Sequence, residues 1–506
     1  MTDRRIILFL LIGIGVFLRI YIRRKNSARI ARLPPGPTPL PLVGNILDIP
    51  TAQLGSKFRS ISDKYGDVVY LSALGQRIIL LGSYEAASTL LDNRSTTTSD
   101  RQGLVMADLV GFSDWEFTLF EHTPEWRRHR RQFHQLFHKG VVADYHPAQR
   151  EHAQRLVQRL IQDPDHFISH IRHYFGASIM QIVYGLEVAE QDDKYIAIAE
   201  KCVEIFTDIA VPGRYLVEAF PFLRYIPSWL PGAKFKRDAA RWKESVKDLR
   251  DVPYHAAKRD IDSGKASPSI VMRILEEAQG SHDSNSAEVE ELCQNISALA
   301  YLNTTFSSVQ AFFLAMAKYP HIRRKAQAEL DAVVGSRRLP DLSDRLALPY
   351  VNAIVKECFR WLIVTPIGFP HKTSEDEELN GYLIPKGSTL IPNVWAMSRD
   401  PNMYPDPEEF VPERFLDPRV RDPMKFAFGF GRRICPGRHF ADQALFIIVA
   451  VVLHTLDIQP PLDDTGNPIE PEARYTTDTV TSYPEPFRCR ITPRPGRAEL
   501  VASEQE

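Results

Sequence analysis

The sequence predicts a mainly α-helical fold with small β-sheets, which places the chain in the α+β class. Two observations carry this prediction: apolar residues recur at helical spacing between Pro or Gly breaks, and one β-rich segment contains a turn. The helical segments include Glu151–Gln162, Ala189–Ile209, Asp238–Ser263 and Val289–Tyr319. The β-rich segment is Val68–Leu81, in which Gly75-Gln76 predicts a hairpin. With 506 residues, 44% of them hydrophobic, the chain can bury a large core.

Charge and cysteine usage argue against a nucleic-acid-binding protein and against a fold held by disulfides or zinc. A formal net charge of −1 argues against nucleic acid as a bulk partner. The five cysteines are odd in number and show neither a disulfide framework nor a CxxC zinc spacing, which favours a reducing compartment.

The N-terminus predicts a membrane anchor over residues 1–25. Residues Ile6 to Ile22 are apolar apart from Arg19, and 17 residues lie at the short end of a membrane span. A cleaved signal peptide is the alternative, but the segment ends in Arg23-Arg24-Lys25 and has no small-residue cleavage site. The larger basic cluster follows the span, which predicts a single-pass protein with a cytosolic body.

Residues 26–50 predict a semi-rigid hinge between this anchor and a catalytic body over residues 51–506. The hinge contains Leu33-Pro-Pro-Gly-Pro-Thr-Pro-Leu-Pro41, and proline fixes φ and blocks helix formation. A disordered linker is the alternative, and it would serve the same geometric purpose.

Two irregular segments are rich in apolar and aromatic residues. They are Leu104–Phe120 and Phe206–Phe235, the second broken by four prolines. Any pocket that these segments cover should be apolar, which indicates a lipophilic ligand. A well-packed, Pro-rich connector is the alternative for the second segment.

A basic run, Trp126-Arg-Arg-His-Arg-Arg131, lies between these segments. Trp126 and Arg130 are four residues apart and share a face on a helix, where an indole N–H and a guanidinium can hold carboxylates. We expect the other basic side chains of the run to form a solvated face, or to dock an acidic redox partner. These are Arg127, Arg128, His129 and Arg131.

The long helix predicted over Val289–Met316 carries an apolar stripe that is interrupted at Asn303. Asn303 and its neighbour Thr304 therefore place polar groups on an apolar face, where buried polar groups need partners or a purpose. A hydrogen bond that packs the helix is the alternative role of Asn303.

A pair of charged residues, Glu357 and Arg360, is spaced so that the two side chains meet on a helix. A buried Arg–carboxylate pair demands further partners. Pro412-Glu-Arg414-Phe415 supplies a second Arg downstream. Between the two motifs, Asn380-Gly381 and Pro385-Lys-Gly387 predict the turns of small hairpins.

The stretch Phe428-Gly-Phe-Gly-Arg-Arg-Ile-Cys435-Pro-Gly437 carries a single cysteine immediately before a helix-like run, Arg438–His454. The helix macrodipole and the arginines around the cysteine favour thiolate over thiol, which indicates that Cys435 is a metal ligand or a nucleophile. The glycines let the backbone approach something flat and bulky. A buried structural cysteine is the alternative.

The spacing Phe428-x-x-Gly431-x-Arg433-x-Cys435-x-Gly437 resembles the haem-binding signature of the cytochrome P-450 superfamily. With the tryptophan–arginine pair, the polar interruption of the long helix, the Glu–Arg motif and the proline-rich hinge, the resemblance covers nearly all of the chain. It implies a fold that holds haem b between a long distal helix and the helix of the cysteine loop. Cys435 would be the iron ligand, with Phe428 packed beside it and Arg433 paired with a haem propionate.

The resemblance assigns further roles. Trp126 and Arg130 would hold propionates, Glu357, Arg360 and Arg414 would form a structural triad that braces the haem-binding core, and Thr304 would act in oxygen activation and proton relay. His371 reaches a propionate in some relatives, although an exposed loop histidine is the commoner case. Ala300–Thr305 departs from the family pattern, because Asn303 stands where an acid is usual and Tyr301 where glycine is usual.

The implied function is a membrane-anchored monooxygenase of the endoplasmic reticulum that acts on lipophilic molecules and resembles fungal members of secondary metabolism. Its electrons would come from NADPH through cytochrome P-450 reductase, with cytochrome b5 as a second candidate donor. The alternative is a haem-thiolate protein that is not an oxygenase, such as an isomerase, a dehydratase or a pathway scaffold. The altered Ala300–Thr305 segment is its support in the sequence.

Overall fold

The computed structural model describes residues 32–280, 286–301, 305–476 and 480–502. The predicted anchor, residues 1–25, and the first residues of the hinge lie outside these ranges, as do Asn303 and Thr304. The described parts form a mainly helical fold with three small sheets, as the sequence predicts.

Seventeen α-helical segments occur in the described ranges. They are α1 Leu54–Tyr65, α2 Tyr84–Ala87, α3 Val105–Val110, α4 Pro124–Phe137, α5 His146–Gln162, α6 Phe167–Ile179, α7 Lys194–Ile209, α8 Leu216–Ala219, α9 Lys234–Asp262, α10 Ile270–Gly280, α11 Ser286–Tyr301, α12 Thr305–Lys318, α13 Pro320–Val333, α14 Pro349–Trp361, α15 Val394–Ser398, α16 Arg438–Thr455 and α17 Ala498–Ala502.

Eight strands form the three sheets. They are β1 Val68–Ala73, β2 Gln76–Leu81, β3 His371–Lys372, β4 Glu377–Leu379, β5 Tyr382–Ile384, β6 Thr389–Pro392, β7 Leu456–Gln459 and β8 Arg490–Pro493. The largest sheet has the order β1-β2-β6-β3, in which only the β2–β6 pair is parallel, and β4–β5 and β7–β8 are antiparallel pairs.

The β1–β2 hairpin confirms the turn predicted in Val68–Leu81. Tyr70 pairs with Ile79 across it, and Leu74 and Gly75 both have positive φ, as a tight two-residue hairpin turn requires. The parallel β2–β6 pairing then joins this N-terminal hairpin to residues more than 300 positions later in the chain. The sheet therefore fixes the N-terminal part of the body onto the segment that follows α14.

Four helices begin at residues other than those predicted. α9 begins at Lys234 rather than Asp238 and α11 at Ser286 rather than Val289, and the starts of α5 and α7 differ for local reasons. α5 begins at His146 rather than Glu151, because Pro147 fits the first turn of a helix, where a backbone N–H would have no intrahelical acceptor. α7 begins at Lys194 rather than Ala189, because the Asp193 carboxylate caps the helix by accepting the N–H groups of Tyr195 and Ile196. All four differences lie at element boundaries, and the elements themselves are as predicted.

Two large clusters of apolar side chains make up the core. One lies among α5, α6, α12, α13, α14 and α16, and the other among α3, α4, α7, α9 and α11. Helix α16 is buried along nearly its whole length beyond Phe440. In the described part of the chain it is the one helix long and apolar enough to cross a membrane, and its burial in the first cluster accounts for that composition.

Candidate functional site

The cysteine loop is closed by its own backbone. The N–H of Cys435 donates to the carbonyl of Phe428 at 2.7 Å, and Gly437 precedes the first turn of α16. Gly429 and Gly431 both have positive φ, which glycine adopts without strain. The loop therefore presents the Cys435 side chain next to a helix N-terminus, as its sequence predicts.

Gly431 is needed for a reason the sequence did not reveal. A Cβ at this position would lie 2.0 Å from the carbonyl oxygen of Leu91, and the N–H of Gly431 donates to the Asp92 carboxylate at 2.6 Å. At Gly431 the backbone thus approaches the neighbouring turn Ser88–Asp92 closely, and the approach of the glycines to a flat ligand stays a prediction. At Gly437 a Cβ would face the Cys435 Sγ at 4.0 Å, on the open side of the loop.

The protein alone does not lower the pKa of Cys435, which corrects the expectation of a stabilised thiolate. Burial raises the pKa of the thiol, and a hydrogen bond from the Gly437 backbone and the charges of Arg130 and Arg438 only partly oppose it. Arg432 points away and donates to the Thr96 hydroxyl at 3.3 Å. A metal ion bound to the sulfur would favour the thiolate, because its charge displaces the proton of a coordinating thiol.

Helix α4 places Trp126 and Arg130 beside this loop. Thr123 caps the helix by accepting the Trp126 N–H at 3.3 Å, and Pro124 occupies the first turn. Trp126 is buried, and Arg130 donates to the carbonyl of Ile434, directly before the cysteine. Burial lowers the pKa of Arg130 to about 10, and the proximity of Cys435 opposes this shift.

The predicted solvated face of α4 is right for the exposed residues Arg127, Arg128 and Arg131 and wrong for His129. His129 is buried, its Nδ1 lies 3.0 Å from the Glu125 carbonyl, and its Nε2 lies 3.2 Å from the Asn295 side-chain nitrogen. Its position three residues after Trp126 puts it on the inner face of the helix. His129 therefore joins α4 to α11.

Arg433 is buried with one donor unpaired. Its Nε and Nη2 donate to the carbonyls of Ser99 and Phe120, both at 2.7 Å, and its guanidinium lies over the Trp126 ring at 4.3 Å. Its Nη1 has no hydrogen-bond partner among the described residues. Burial and the neighbouring charge of Arg101 lower the pKa of Arg433 to about 9.

Three residues that the sequence reasoning missed lie around Arg433. Arg101 is buried and donates to the carbonyls of Phe369 and Pro370 at 2.6 Å, and burial lowers its pKa to about 10. His122 packs on Trp126 with its Nε2 buried and unpartnered in the described structure. Glu116 is buried beside Thr118, and burial raises the pKa of its carboxyl. No periodic pattern marks these residues, because their segment is irregular.

His371 is buried in strand β3, so the alternative of an exposed loop histidine is wrong. Its Nδ1 lies 2.9 Å from the Thr98 carbonyl, which leaves Nε2 as the free nitrogen. Burial, with Arg101 nearby, lowers the pKa of His371 well below its usual range. A carboxylate next to Nε2 would favour the protonated ring instead.

These residues together fit a haem with carboxylate substituents. The guanidiniums of Arg101, Arg130 and Arg433 are withdrawn from water at or beside the cysteine loop. The carboxylates of Glu116 and Asp100 offset only part of the burial of Arg101 and Arg433, and buried cations need anionic partners. The free Nη1 of Arg433 and the free Nε2 of His122 are the donors that a propionate would accept from. No group of three or more His, Cys, Asp or Glu in the described residues could hold a metal ion. A single thiol ligand suits a metal that brings its own macrocycle.

Behind the loop, Glu357, Arg360 and Arg414 lie together. Arg360 donates to both carboxylate oxygens of Glu357 at 2.7 and 2.8 Å, and both side chains are fully buried. Arg414 Nε lies 3.3 Å from the same carboxylate, which also accepts the Val411 N–H at 2.7 Å. Arg360 further donates to three backbone carbonyls, those of Ser398, Pro407 and Glu409. Every polar atom of this pair is therefore used.

The triad is connected to the cysteine loop through one aromatic contact. Phe359 lies next to Arg360 on α14, and its ring meets Phe428 edge to face at 5.0 Å between centroids. Phe428 is also the residue whose carbonyl closes the loop. The position of the loop thus depends on the helix that the Glu357–Arg360 pair fixes.

The distal side is described up to Tyr301 and again from Thr305. Tyr301 is buried in the second core cluster, which also contains Tyr184 and Cys293. Its hydroxyl has no hydrogen-bond partner among the described residues, and burial raises its pKa far above the usual value. Asn303 and Thr304 lie outside the described residues, so their predicted roles remain predictions.

The two segments expected to cover a pocket are joined to each other. Glu218 on α8 accepts the N–H groups of Val105 and Met106 at 2.9 and 2.7 Å and so caps α3. This helix is absent from the prediction, which had Leu104–Phe120 irregular, because the cap comes from a residue more than 100 positions away. Phe112 and Phe206 also pack edge to face at 5.4 Å.

The chain is similar to known proteins over almost its full length. The cytochrome P450 family model matches residues 34–484. Cytochrome P450 monooxygenase COX2 of Coprinopsis cinerea is 39% identical over 95% of this chain and 92% of its own length. Tryptamine 4-monooxygenase of Psilocybe cyanescens is 39% identical over 94% and 96%, and cytochrome P450 monooxygenase 208 of Postia placenta is 39% identical over 98% of each chain.

Proposed function

We propose, since the chain belongs to the cytochrome P450 family of monooxygenases, that it inserts one oxygen atom of O2 into a lipophilic small molecule of secondary metabolism. Electrons would come from NADPH through cytochrome P-450 reductase, with cytochrome b5 as a second donor. The cofactor would be haem b, which when bound supplies the reductive activation of dioxygen.

The buried cluster of arginines at the cysteine loop is the observation that carries this proposal. Cys435 would hold the iron, and Arg433 Nη1 and His122 Nε2 would donate to the propionates, with Arg101, Arg130, Trp126 and His371 around them. Phe428, Gly431 and Gly437 would shape the loop around the ligand, and the Glu357–Arg360–Arg414 triad would keep the loop in place.

We assign proton handling on the distal side to Thr304 and Asn303 by resemblance to the family. An amide cannot exchange a proton as a carboxylic acid does, so water or substrate hydroxyls would supply part of the relay. We expect Asn303→Asp to change the ratio of NADPH consumed to product formed. An unchanged ratio would assign Asn303 a structural role.

The cover of the proposed pocket supports a lipophilic substrate. Phe112, Phe206 and Phe369 form a chain of aromatic contacts between the turn Phe112–Asp114 after α3, helix α7 and the segment before β3. Such apolar walls with few polar groups select ligands by shape and apolar area. The relative from Psilocybe cyanescens is named for tryptamine, so indole amines belong in a substrate screen beside terpenoids and polyketides.

Exposed apolar residues support placement at the endoplasmic reticulum membrane, with residues 1–25 as anchor, 26–50 as hinge and the body cytosolic. Leu42 is 98% exposed and Leu47 82% in the hinge, and Tyr225 and Trp229 are 81% and 76% exposed in the second covering segment. The two segments are neighbours, because a Cβ at Gly213 would meet Thr51 at 3.8 Å. A shared apolar surface of this kind marks a membrane or protein contact.

Two measurements test the proposal. The reduced protein should give the thiolate-type carbon monoxide spectrum, and Cys435→Ala should lose that band while haem stays bound; a wild type without the band contradicts the assignment. Incubation with NADPH, reductase and labelled dioxygen should then give labelled product. Substrate consumed without label would favour the isomerase or dehydratase alternative, which no contact among the described residues favours.

A further inference from the structure

A buried carboxyl group lies at the proposed haem site without a cation hydrogen-bonded to it. Glu116 is 1% exposed, and each of its carboxylate oxygens lies 2.7 Å from the hydroxyl of Thr118. The backbone N–H of Thr118 donates to the same carboxylate at 3.2 Å. In the described structure these are its hydrogen bonds. One neighbouring residue therefore supplies every donor to a group that can accept from several.

The chain that follows Glu116 wraps around two arginines of the proposed haem site. Arg101 donates to the Thr118 carbonyl at 3.2 Å, and Arg433 donates to the Phe120 carbonyl at 2.7 Å. The other hydrogen bonds described for these two guanidiniums also go to backbone carbonyls. Their charges act on Glu116 from this distance. Glu116 therefore faces the arginines as a charge and not as a hydrogen-bonded partner.

Haem would bring this cluster more negative charge than its cations balance. In the described structure the charges that act at Arg433, its own included, are three guanidiniums and two carboxylates, those of Arg101, Arg130, Arg433, Asp100 and Glu116. His122 and His371 add no charge near neutral pH, because burial lowers the pKa of both rings. The two propionates of haem would raise the carboxylates to four against three guanidiniums.

One acidic group should therefore take up a proton when haem binds, and the charge of Glu116 has the least support. Asp100 is half-buried and accepts the backbone N–H groups of Arg101 and His122, both at 3.0 Å. The propionates would accept from Arg433 Nη1 and His122 Nε2. Burial raises the pKa of Glu116 in spite of both arginines, and negative charge brought nearby raises it further.

We propose that Glu116 binds a proton from solvent when haem binds, so that a neutral carboxyl group faces the propionates and this residue weakens haem binding as the pH rises. The proton uptake depends on the haem site proposed above. Its sign follows from linkage: the holoprotein holds this proton more strongly than the apoprotein, so the contribution is present at low pH and is lost as the pH rises through the pKa of Glu116 in the holoprotein. Release of the Cys435 proton on ligation acts in the opposite direction, equally in every variant compared below.

Haem transfer from the full-length holoprotein to an excess of apo-globin, measured from about pH 6 to about pH 8.5, tests this proposal. Glu116→Gln keeps a neutral group of the same shape. At the upper pH haem should leave this variant at least about threefold more slowly than wild type, and at the lower pH the two rates should agree. A slower loss cannot come from a misfolded variant. The matched control is Glu121→Gln, an exposed carboxylate of the same segment, whose rate should depend on pH as that of wild type does.

His371 is the other group that could take up the proton, because a propionate beside its Nε2 would favour the protonated ring. We expect the rate for His371→Gln to keep the wild-type dependence on pH. The carbon monoxide spectrum comes first, and a wild type without the thiolate-type band contradicts the haem site itself. With that band present, the proposal is overturned if Glu116→Gln keeps the wild-type pH dependence, or if His371→Gln removes it and Glu116→Gln does not.

Discussion

At Arg433, burial destabilises the charged guanidinium, and its hydrogen bonds offset only part of that cost. Two of its nitrogens are satisfied by carbonyls, and the third is buried without a partner among the described residues. A guanidinium kept from water with a free donor destabilises the protein until an anion arrives. Arg433 therefore destabilises the folded protein without haem, and haem binding would remove this destabilisation.

We predict that Arg433→Gln increases the rate of haem loss by about tenfold, because it removes a charge-assisted hydrogen bond to a propionate. Transfer of haem to an excess of an apo-globin measures this rate. The adjacent Arg432→Gln is the matched control, since Arg432 is exposed and donates to Thr96. Equal rates for the two variants would contradict the role of Arg433.

Gly431 and Gly429 provide a second comparison between single residues. Both have positive φ, but a Cβ at Gly431 would strike the Leu91 carbonyl at 2.0 Å whereas one at Gly429 meets nothing closer than 3.9 Å. We predict that Gly431→Ala lowers thermal stability and haem content more strongly, with about 1–3 kcal/mol of added strain. Thermal unfolding of the two variants measures the difference, and equal losses would show that φ alone matters.

At the scale of elements, the fully buried Glu357–Arg360 pair fixes α14 against the segment around Val411. Removal of one partner leaves the other charge buried and unpaired. We predict that Glu357→Gln costs about 3–5 kcal/mol of unfolding free energy. Denaturant unfolding measures this loss. Asp417→Asn, which removes a carboxylate from an exposed pair with Arg419, should leave the unfolding free energy almost unchanged. A loss at Glu357 no larger than this would rule out the bracing role.

Sequence reasoning located elements and motifs where local pattern determines them. The β1–β2 turn, the cysteine loop before α16 and the meeting of Glu357 with Arg360 all depend on spacings of a few residues. It missed α3, Arg101 and the burial of His129, each of which depends on a partner far along the chain. The raised pKa of Cys435 was missed for a related reason. The sequence shows the helix whose macrodipole favours the thiolate, but burial of the thiol, which raises its pKa, depends on the whole fold.

At the scale of the whole molecule, exposed apolar residues occur both in the hinge and in the second covering segment, and Thr51, directly after the hinge, lies beside Gly213 of that segment. We predict that these exposed apolar residues contact lipid in vesicles containing the full chain. Brominated lipids should quench the fluorescence of Trp229, and Trp229→Phe should remove the largest share of the quenching. Of the other five tryptophans, Trp115, Trp126 and Trp361 are buried, and Trp242 and Trp395 are half-buried. Quenching that persists undiminished in Trp229→Phe would place the membrane surface elsewhere.

The carboxylate of Glu218 links the two segments that would cover the proposed pocket. From its place on α8 it accepts hydrogen bonds from the first two amide groups of α3, so α3 and α8 can part only when both hydrogen bonds break. Passage of a molecule through this side would then depend on how often both bonds are open at once, and a tightly bound ligand would leave no faster than that opening allows.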